Sequence, residues 1–234
     1  MSRKKTAIMI SGRGSNMAAL IEAAADHGFP VEIAGVISDK ADAPGLVIAN
    51  QRKIPARVIA RADFANRRAH DSAIDAALGG FGAEIVALAG YMRLLTAGFV
   101  GKWQGRMINI HPSLLPLFRG LDAHRRALEA GVRLHGCTVH FVTPEVDSGP
   151  IIAQAAVPVL ADDTEEMLAA RVLKAEHQLY PLALRLVAEG SVRMEAGRTV
   201  FDLGHGSERA SPLILAPDLR PAAPNLEDLA RFTP

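Results

Sequence analysis

Thr6-Ala7-Ile8-Met9-Ile10-Ser11-Gly12-Arg13-Gly14-Ser15-Asn16 begins as an apolar run and ends as a glycine-rich loop. Beyond it Met17, Leu20, Ile21 and Ala24 recur at the spacing of one helix face, so the stretch reads as strand, tight loop and helix. Glycines let the backbone turn sharply and approach a ligand. Ser15 and Asn16 add side-chain donors, and the helix end supplies free amides and a positive dipole. An anion suits that cradle. Position 17 is Met17, so the Gly-x-Gly-x-x-Gly dinucleotide fingerprint is incomplete, and the lysine of a P-loop is missing. A monophosphate therefore fits better than a dinucleotide. The same residues also suit a plain strand-to-helix turn with a Ser or Asn cap.

Outward from this unit, short apolar runs at 31–37, 57–59, 84–89 and 107–110 alternate with helix-length segments. That is the rhythm of βαβ units and predicts an α/β fold with a mostly parallel sheet. The runs at 31–37 and 84–89 are nearly continuous in apolar residues, as strands covered by helices on both faces require. After His135 the pattern changes. Cys137, Val139 and Phe141 alternate with Thr138, His140 and Val142, a turn follows from Pro144 to Pro150, and 151–157 is again strand-like, which predicts a hairpin. A capping box of Asp163 with Glu166 opens a long helix bearing Leu168, Val172, Ala175, Leu179, Leu182 and Leu186 on one face, with a kink expected at Pro181. A last small hairpin is expected from 192–194 and 199–201. Residues 1–206 read as one domain, and 207–234, with five prolines and no sustained periodicity, as a loose tail.

Composition narrows the function. Lys and Arg number 26 against 25 Asp and Glu, and no basic block is long enough to track a phosphate backbone, so nucleic acid is not an expected partner. The single cysteine, Cys137, excludes an internal disulfide and a multi-cysteine zinc site, and fits a reducing compartment. The basic start Met1-Ser2-Arg3-Lys4-Lys5 precedes an apolar run of only 7–10, too short for a signal-peptide core. No segment approaches the roughly 20 apolar residues of a membrane helix. A cytoplasmic protein without membrane partners is the expectation.

The chemistry is carried by Asn109-Ile110-His111-Pro112-Ser113-Leu114-Leu115-Pro116. The preceding alternation puts Met107, Asn109 and His111 on one strand face, and Pro112 stops the ladder. An uncharged amide donor beside a group that holds or gives a proton is what a carbonyl needs while it becomes a tetrahedral oxyanion, so acyl or one-carbon transfer is the first reading. The alternative is that both residues merely satisfy strand-end backbone groups. In Thr143-Pro144-Glu145-Val146-Asp147-Ser148-Gly149-Pro150 the Asp147 carboxylate could orient His111, or could serve ordinary turn chemistry. His124, His135 and His140 lack the spacing of a metal motif, and no metal is expected. His140 and His177 read as packed core histidines.

With these pieces in place the chain resembles the folate-dependent phosphoribosylglycinamide formyltransferases from about Thr6 to about Phe201. The resemblance is carried by Ser11-Gly12-Arg13-Gly14-Ser15-Asn16, Leu88-Ala89-Gly90-Tyr91-Met92-Arg93-Leu94-Leu95, the Asn109 to Pro116 stretch, His140-Phe141-Val142 with Asp147-Ser148-Gly149-Pro150, and Glu176-His177. It implies a Rossmann-like formyltransferase fold with an antiparallel C-terminal portion. It also implies transfer of a formyl group from the cosubstrate 10-formyltetrahydrofolate to the amine of phosphoribosylglycinamide, in purine synthesis. By that resemblance Gly14, Ser15 and Asn16 hold the substrate phosphate, and Glu176 contacts the ribosyl glycinamide portion. Arg67, Met92, Arg93, Leu94, Leu95 and Asn109 line the folate pocket, and Asn109, His111 and Asp147 are catalytic. Monomer and homodimer both stay open. The stretch Leu117-Phe118-Arg119-Gly120-Leu121-Asp122 departs from any fixed pattern and receives no substrate role. Three rivals share parts of the pattern. Methionyl-tRNA formyltransferase carries a further carboxyl-terminal domain, for which this tail is too short; formyltetrahydrofolate deformylase passes the formyl group to water; and a noncatalytic folate or phosphosugar binder would keep the fold without the chemistry.

Overall fold

The computed structural model describes residues 3–202. The expected domain end at 206 and the tail from 207 lie outside the described residues. In chain order the elements are β1 (Lys4–Ile10), α1 (Ser15–Ala25), β2 (Val31–Ser38), α2 (Gly45–Gln51), β3 (Ala56–Val58), α3 (Arg67–Gly80), β4 (Ile85–Leu88), α4 (Ala97–Lys102), β5 (Met107–His111), α5 (Ala123–Glu129), β6 (Leu134–Phe141), β7 (Ile151–Pro158), α6 (Glu165–Glu189), β8 (Val192–Glu195) and β9 (Arg198–Phe201).

A seven-stranded sheet runs β3-β2-β1-β4-β5-β6-β7. The first five strands are parallel, β6 and β7 are antiparallel to their neighbours, and β8 and β9 form a separate hairpin. The mostly parallel sheet and antiparallel C-terminal portion read from the sequence are thus present. The chain proceeds outward from β1 to β3 and then returns to lay β4 on the other side of β1. Connections leave the neighbouring strands in opposite directions at such a reversal, and a crevice opens at the strands' carboxyl ends.

Both faces of the sheet are covered. In β1, Ile8 and Ile10 pack with Met17 and Leu20 of α1 and Leu179, Tyr180 and Leu184 of α6. The alternate residues Ala7 and Met9 pack on the other side with Ile74 and Leu78 of α3 and Phe99 of α4. This is why the run at 6–10 lacks the polar alternation of a half-exposed strand. Tyr180 is fully buried, and its hydroxyl lies 2.9 Å from the Leu88 carbonyl and 3.3 Å from the Ile108 carbonyl, tying α6 to β4 and β5. Among the described residues, no helix is long and apolar enough to cross a membrane.

The cap of α6, Leu182 and His177 differ from the sequence reading. The N-cap is Thr164, whose hydroxyl accepts from the Met167 amide at 3.3 Å, rather than Asp163. Asp163 is claimed by the Arg171 guanidinium in a fork of 2.6 and 2.8 Å and by the Leu160 amide. A bidentate charged partner outcompetes a single cap bond. The helix continues through Pro181 to Glu189. Leu182 is 51% exposed because the buried arc is centred on Glu176 and Ala183, leaving Leu182 past its edge. His177 is only half-buried, and its Nε2 has no partner.

Candidate active site

Strand β5 lies between β4 and β6, with Asn109 opposite Leu88 on one side and opposite His140 on the other. The strand therefore delivers Asn109 and His111 to the carboxyl end of the sheet at a fixed spacing. His111 is 6% exposed, and both of its ring nitrogens face acceptors. Nδ1 lies 3.2 Å from Asp147 Oδ2, and Nε2 lies 3.0 Å from the Phe118 carbonyl oxygen. A protonated ring donates to both at once. The Asp147 carboxylate also accepts from the Gly120 amide at 2.9 Å, so one side chain joins the β6–β7 loop, the segment after β5 and the imidazole. Asp147 has φ of 49°, a left-handed conformation that Asp tolerates better than most residues.

His140 is 2% exposed and contacts the amide directly, with Asn109 Nδ2 3.2 Å from His140 Nε2. Asp147 Oδ1 lies 3.7 Å from the same nitrogen. Burial lowers the His140 pKa, against opposing contributions from the Phe141 carbonyl and Asp147. The structure thus gathers Asn109, His111 and Asp147, the candidates the sequence offers, and adds His140, for which the sequence pattern predicts only a core position.

The glycine-rich loop, which follows β1, is tied to the segment that follows β4. The Ser11 amide donates to the Gly90 carbonyl at 3.1 Å, and Ser11 Oγ accepts from the Met92 amide at 2.8 Å. Gly14, at φ 73°, occupies the N-cap of α1 with no side-chain cap. Neither Ser15 nor Asn16 takes that role, so the side-chain-capped turn is not what forms. Asn16 instead donates from Nδ2 to Glu176 Oε2 at 2.6 Å, while its Oδ1 is buried without a partner. Glu176 is 6% exposed; burial raises its pKa, and the Asn16 bond pulls the other way. Gly14, Ser15, Asn16 and Glu176 therefore form one group, with uncapped α1 amides at its mouth.

Met92 and Leu94, in the segment between β4 and α4, are 62% and 58% exposed, an uncovered apolar pair. Between them Arg93 turns its Nε to the fully buried Asp39 carboxylate at 2.6 Å. Arg67 opens α3 and is exposed, with Asn66 capping the helix by accepting from the Ala69 amide at 2.9 Å. Cys137 is buried, and burial followed by the charge of Glu176 pushes its thiol up to about 12, which keeps it protonated near neutrality and unsuited to nucleophilic attack. His124 and His135 do come together, with His135 Nε2 3.3 Å from His124 Nδ1. Among the described residues no group of His, Cys, Asp and Glu is arranged to hold a metal.

Residues missed from the sequence are those whose role depends on the backbone. The Phe118 carbonyl, the Gly120 amide and the close approach of Gly45 to Gly14 carry no side-chain signal, and the pairing of His140 with Asn109 requires the β5–β6 register. Asp39 beside Arg93 likewise requires the order of β2, β1 and β4.

Residues 4–184 match the formyl transferase family along their whole length. The chain belongs to the formyl transferase family. A solved phosphoribosylglycinamide formyltransferase from Brucella melitensis is similar at 58% identity, with 84% of this chain and 100% of that chain covered and a TM-score of 0.78. The phosphoribosylglycinamide formyltransferase of Haemophilus influenzae is 44% identical over 85% of this chain and 94% of its own length. The trifunctional purine biosynthetic protein adenosine-3 of Gallus gallus is 50% identical over 84% of this chain, and this formyl transferase spans only 20% of its length. The family's chemistry, movement of a formyl group, agrees with a site that pairs an amide donor with a buried imidazole.

Proposed function

We propose that this formyl transferase carries the formyl group of 10-formyltetrahydrofolate to the amine of 5'-phosphoribosylglycinamide. The observation that carries the reading is the Asn109, His111 and Asp147 cluster at the same sheet end as the uncapped α1 cradle. Gly14, Ser15 and Asn16 hold the acceptor phosphate, and Glu176, already bonded to Asn16, takes a hydroxyl of the ribosyl portion. Arg67, Met92, Arg93, Leu94 and Leu95 receive the folate, the exposed apolar pair against its flat ring system and Arg93 held in place by Asp39.

The acceptor amine attacks the formyl carbon, a C–N bond forms, and the carbonyl electron pair moves onto the oxygen. The second hydrogen of Asn109 Nδ2, which His140 leaves free, donates to that oxygen. His111 contributes its Nε2 hydrogen by exchanging the Phe118 carbonyl for the oxyanion, while Asp147 holds Nδ1. The attacking nitrogen loses its proton through water, the tetrahedral intermediate collapses, and the folate nitrogen leaves with a proton. No covalent enzyme intermediate is needed. The reading carries a cytoplasmic location and small-molecule partners, as monomer or homodimer.

The test is formyl transfer followed by folate absorbance, with and without phosphoribosylglycinamide. Acceptor-dependent turnover supports the transferase. Acceptor-independent turnover replaces it with a deformylase, and tight binding without turnover replaces it with a noncatalytic binder.

A further inference from the structure

The two ends of the Asn109 amide differ chemically, and only the NH2 end can donate to a developing oxyanion. What keeps that end in place is found on β6. His140 faces Asn109 across the antiparallel ladder, with its Nδ1 2.9 Å from the carbonyl oxygen of Phe141. A carbonyl only accepts, so Nδ1 carries the proton, and a neutral ring then presents a bare Nε2 lone pair to Asn109. The carbonyl end of the amide would meet that lone pair with its own. The NH2 end donates to it at 3.2 Å and keeps its second hydrogen.

We propose that His140 is a positioning residue for formyl transfer, a neutral Nδ1–H tautomer that locks the Asn109 amide with its free N–H available to the formyl oxygen. Burial of the ring supports the neutral form, against Asp147 on the β6–β7 loop and together with His111 on β5, the ionisable groups that face it. Gly149 supports the tautomer from behind. A Cβ at that position would lie 1.7 Å from the Phe141 oxygen and 3.3 Å from His140 Nδ1, so any side chain there displaces the carbonyl that sets the proton. The Asp147-Ser148-Gly149-Pro150 turn therefore does two things: Asp147 holds His111, and Gly149 leaves room for the carbonyl that orients His140.

This inference rests on the proposed formyl transfer for its kinetic consequence, but its structural half is readable without turnover. Nitrogen-15 imidazole spectra of the wild-type protein near neutral pH report the tautomer directly. A protonated Nδ1 and bare Nε2 on His140 are expected; an Nε2–H tautomer or a cationic ring overturns the proposal even in a fully active enzyme. In kinetics, His140→Ala lowers kcat by roughly tenfold or more, within the about 10²–10³-fold cost of losing one oxyanion donor. The KM for the phosphorylated acceptor stays within about twofold, since the cradle formed by Gly14, Ser15, Asn16 and Glu176 is untouched. His140→Gln, whose side-chain oxygen can accept from Asn109, recovers part of the loss. In an Asn109→Ala background His140→Ala costs little more, because the residue through which it acts is gone. Losses that multiply in the double variant overturn the proposal and assign His140 a general packing role. A wild-type enzyme without acceptor-dependent transfer refutes the proposed function, while the spectra still decide the tautomer.

Discussion

Replacing Gly14 with Ala tests the link from backbone geometry to substrate recognition. Gly14 has φ of 73°, and an alanine held in the left-handed region costs about 1–2 kcal/mol. The new Cβ would lie 2.9 Å from Gly45 Cα and 3.0 Å from Met17 Cε. Met17 is fully buried, and Gly45 has little room to retreat: its amide donates to the Gly12 carbonyl at 3.1 Å, and its own Cβ position is 2.5 Å from Ile10 Cδ1. The overlap is therefore relieved by moving the loop outward, which carries the Ser15 and Asn16 amides away from the α1 axis. Losing one hydrogen bond to a charged group is worth about 1.5–3 kcal/mol, so affinity for the phosphorylated acceptor falls roughly 10–100-fold. Steady-state kinetics with the acceptor varied at saturating folate should show this loss in KM, with the folate KM moving little. Thermal unfolding should show a fall in stability of about 1–3 kcal/mol from the strain. A cooperatively melting Gly14→Ala enzyme with an unchanged acceptor KM would refute both the cradle and the argument that Gly45 holds it.

Asp147→Asn keeps the shape of the side chain but removes the negative charge beside His111, and kcat should fall by about 10²–10⁴-fold; turnover near the wild-type rate sinks the assigned role. Tyr180→Phe deletes the hydroxyl that reaches the Leu88 and Ile108 carbonyls inside the core, and should lower stability by about 1–2 kcal/mol. The denaturant midpoint should shift without a change in slope, and an unmoved midpoint counts against the tie between α6 and the sheet. Stability should also depend on pH through His135. Burial, then neighbouring His124, depresses its pKa from 6.5 to about 4, with His111 adding to the depression and the Pro112 carbonyl opposing it. Between those values the unfolded chain binds more protons than the folded one, so stability falls as the pH drops from 6.5 toward about 4. His135→Asn should flatten that slope in denaturant titrations, and an unaltered slope assigns the acid sensitivity elsewhere.

Much of the protein was legible in its residues because the relevant signals are local. The run at 6–10 with the spacing of Met17, Leu20 and Ile21 contains the strand, turn and helix that form, since periodicity follows from the backbone repeat alone. Asn109 and His111 share a strand face for the same reason. The α6 errors have the opposite origin. Asp163 has a good capping sequence but meets Arg171, eight residues further along, and Leu182 keeps helical spacing on an arc that the sheet leaves uncovered.

By itself the sequence determined the fold class, the position of the glycine loop at a helix start and the residue types available for formyl chemistry. Each of these depends on neighbours within a few positions. The tertiary structure alone decided that Asp147 meets His111, that Asn16 spends its amide on Glu176 rather than on a cap, and that His140 faces Asn109. Those contacts join positions 36, 160 and 31 residues apart, and only the strand order and register bring them within reach, because a hydrogen bond is selective over tenths of an ångström while the chain between its partners is not.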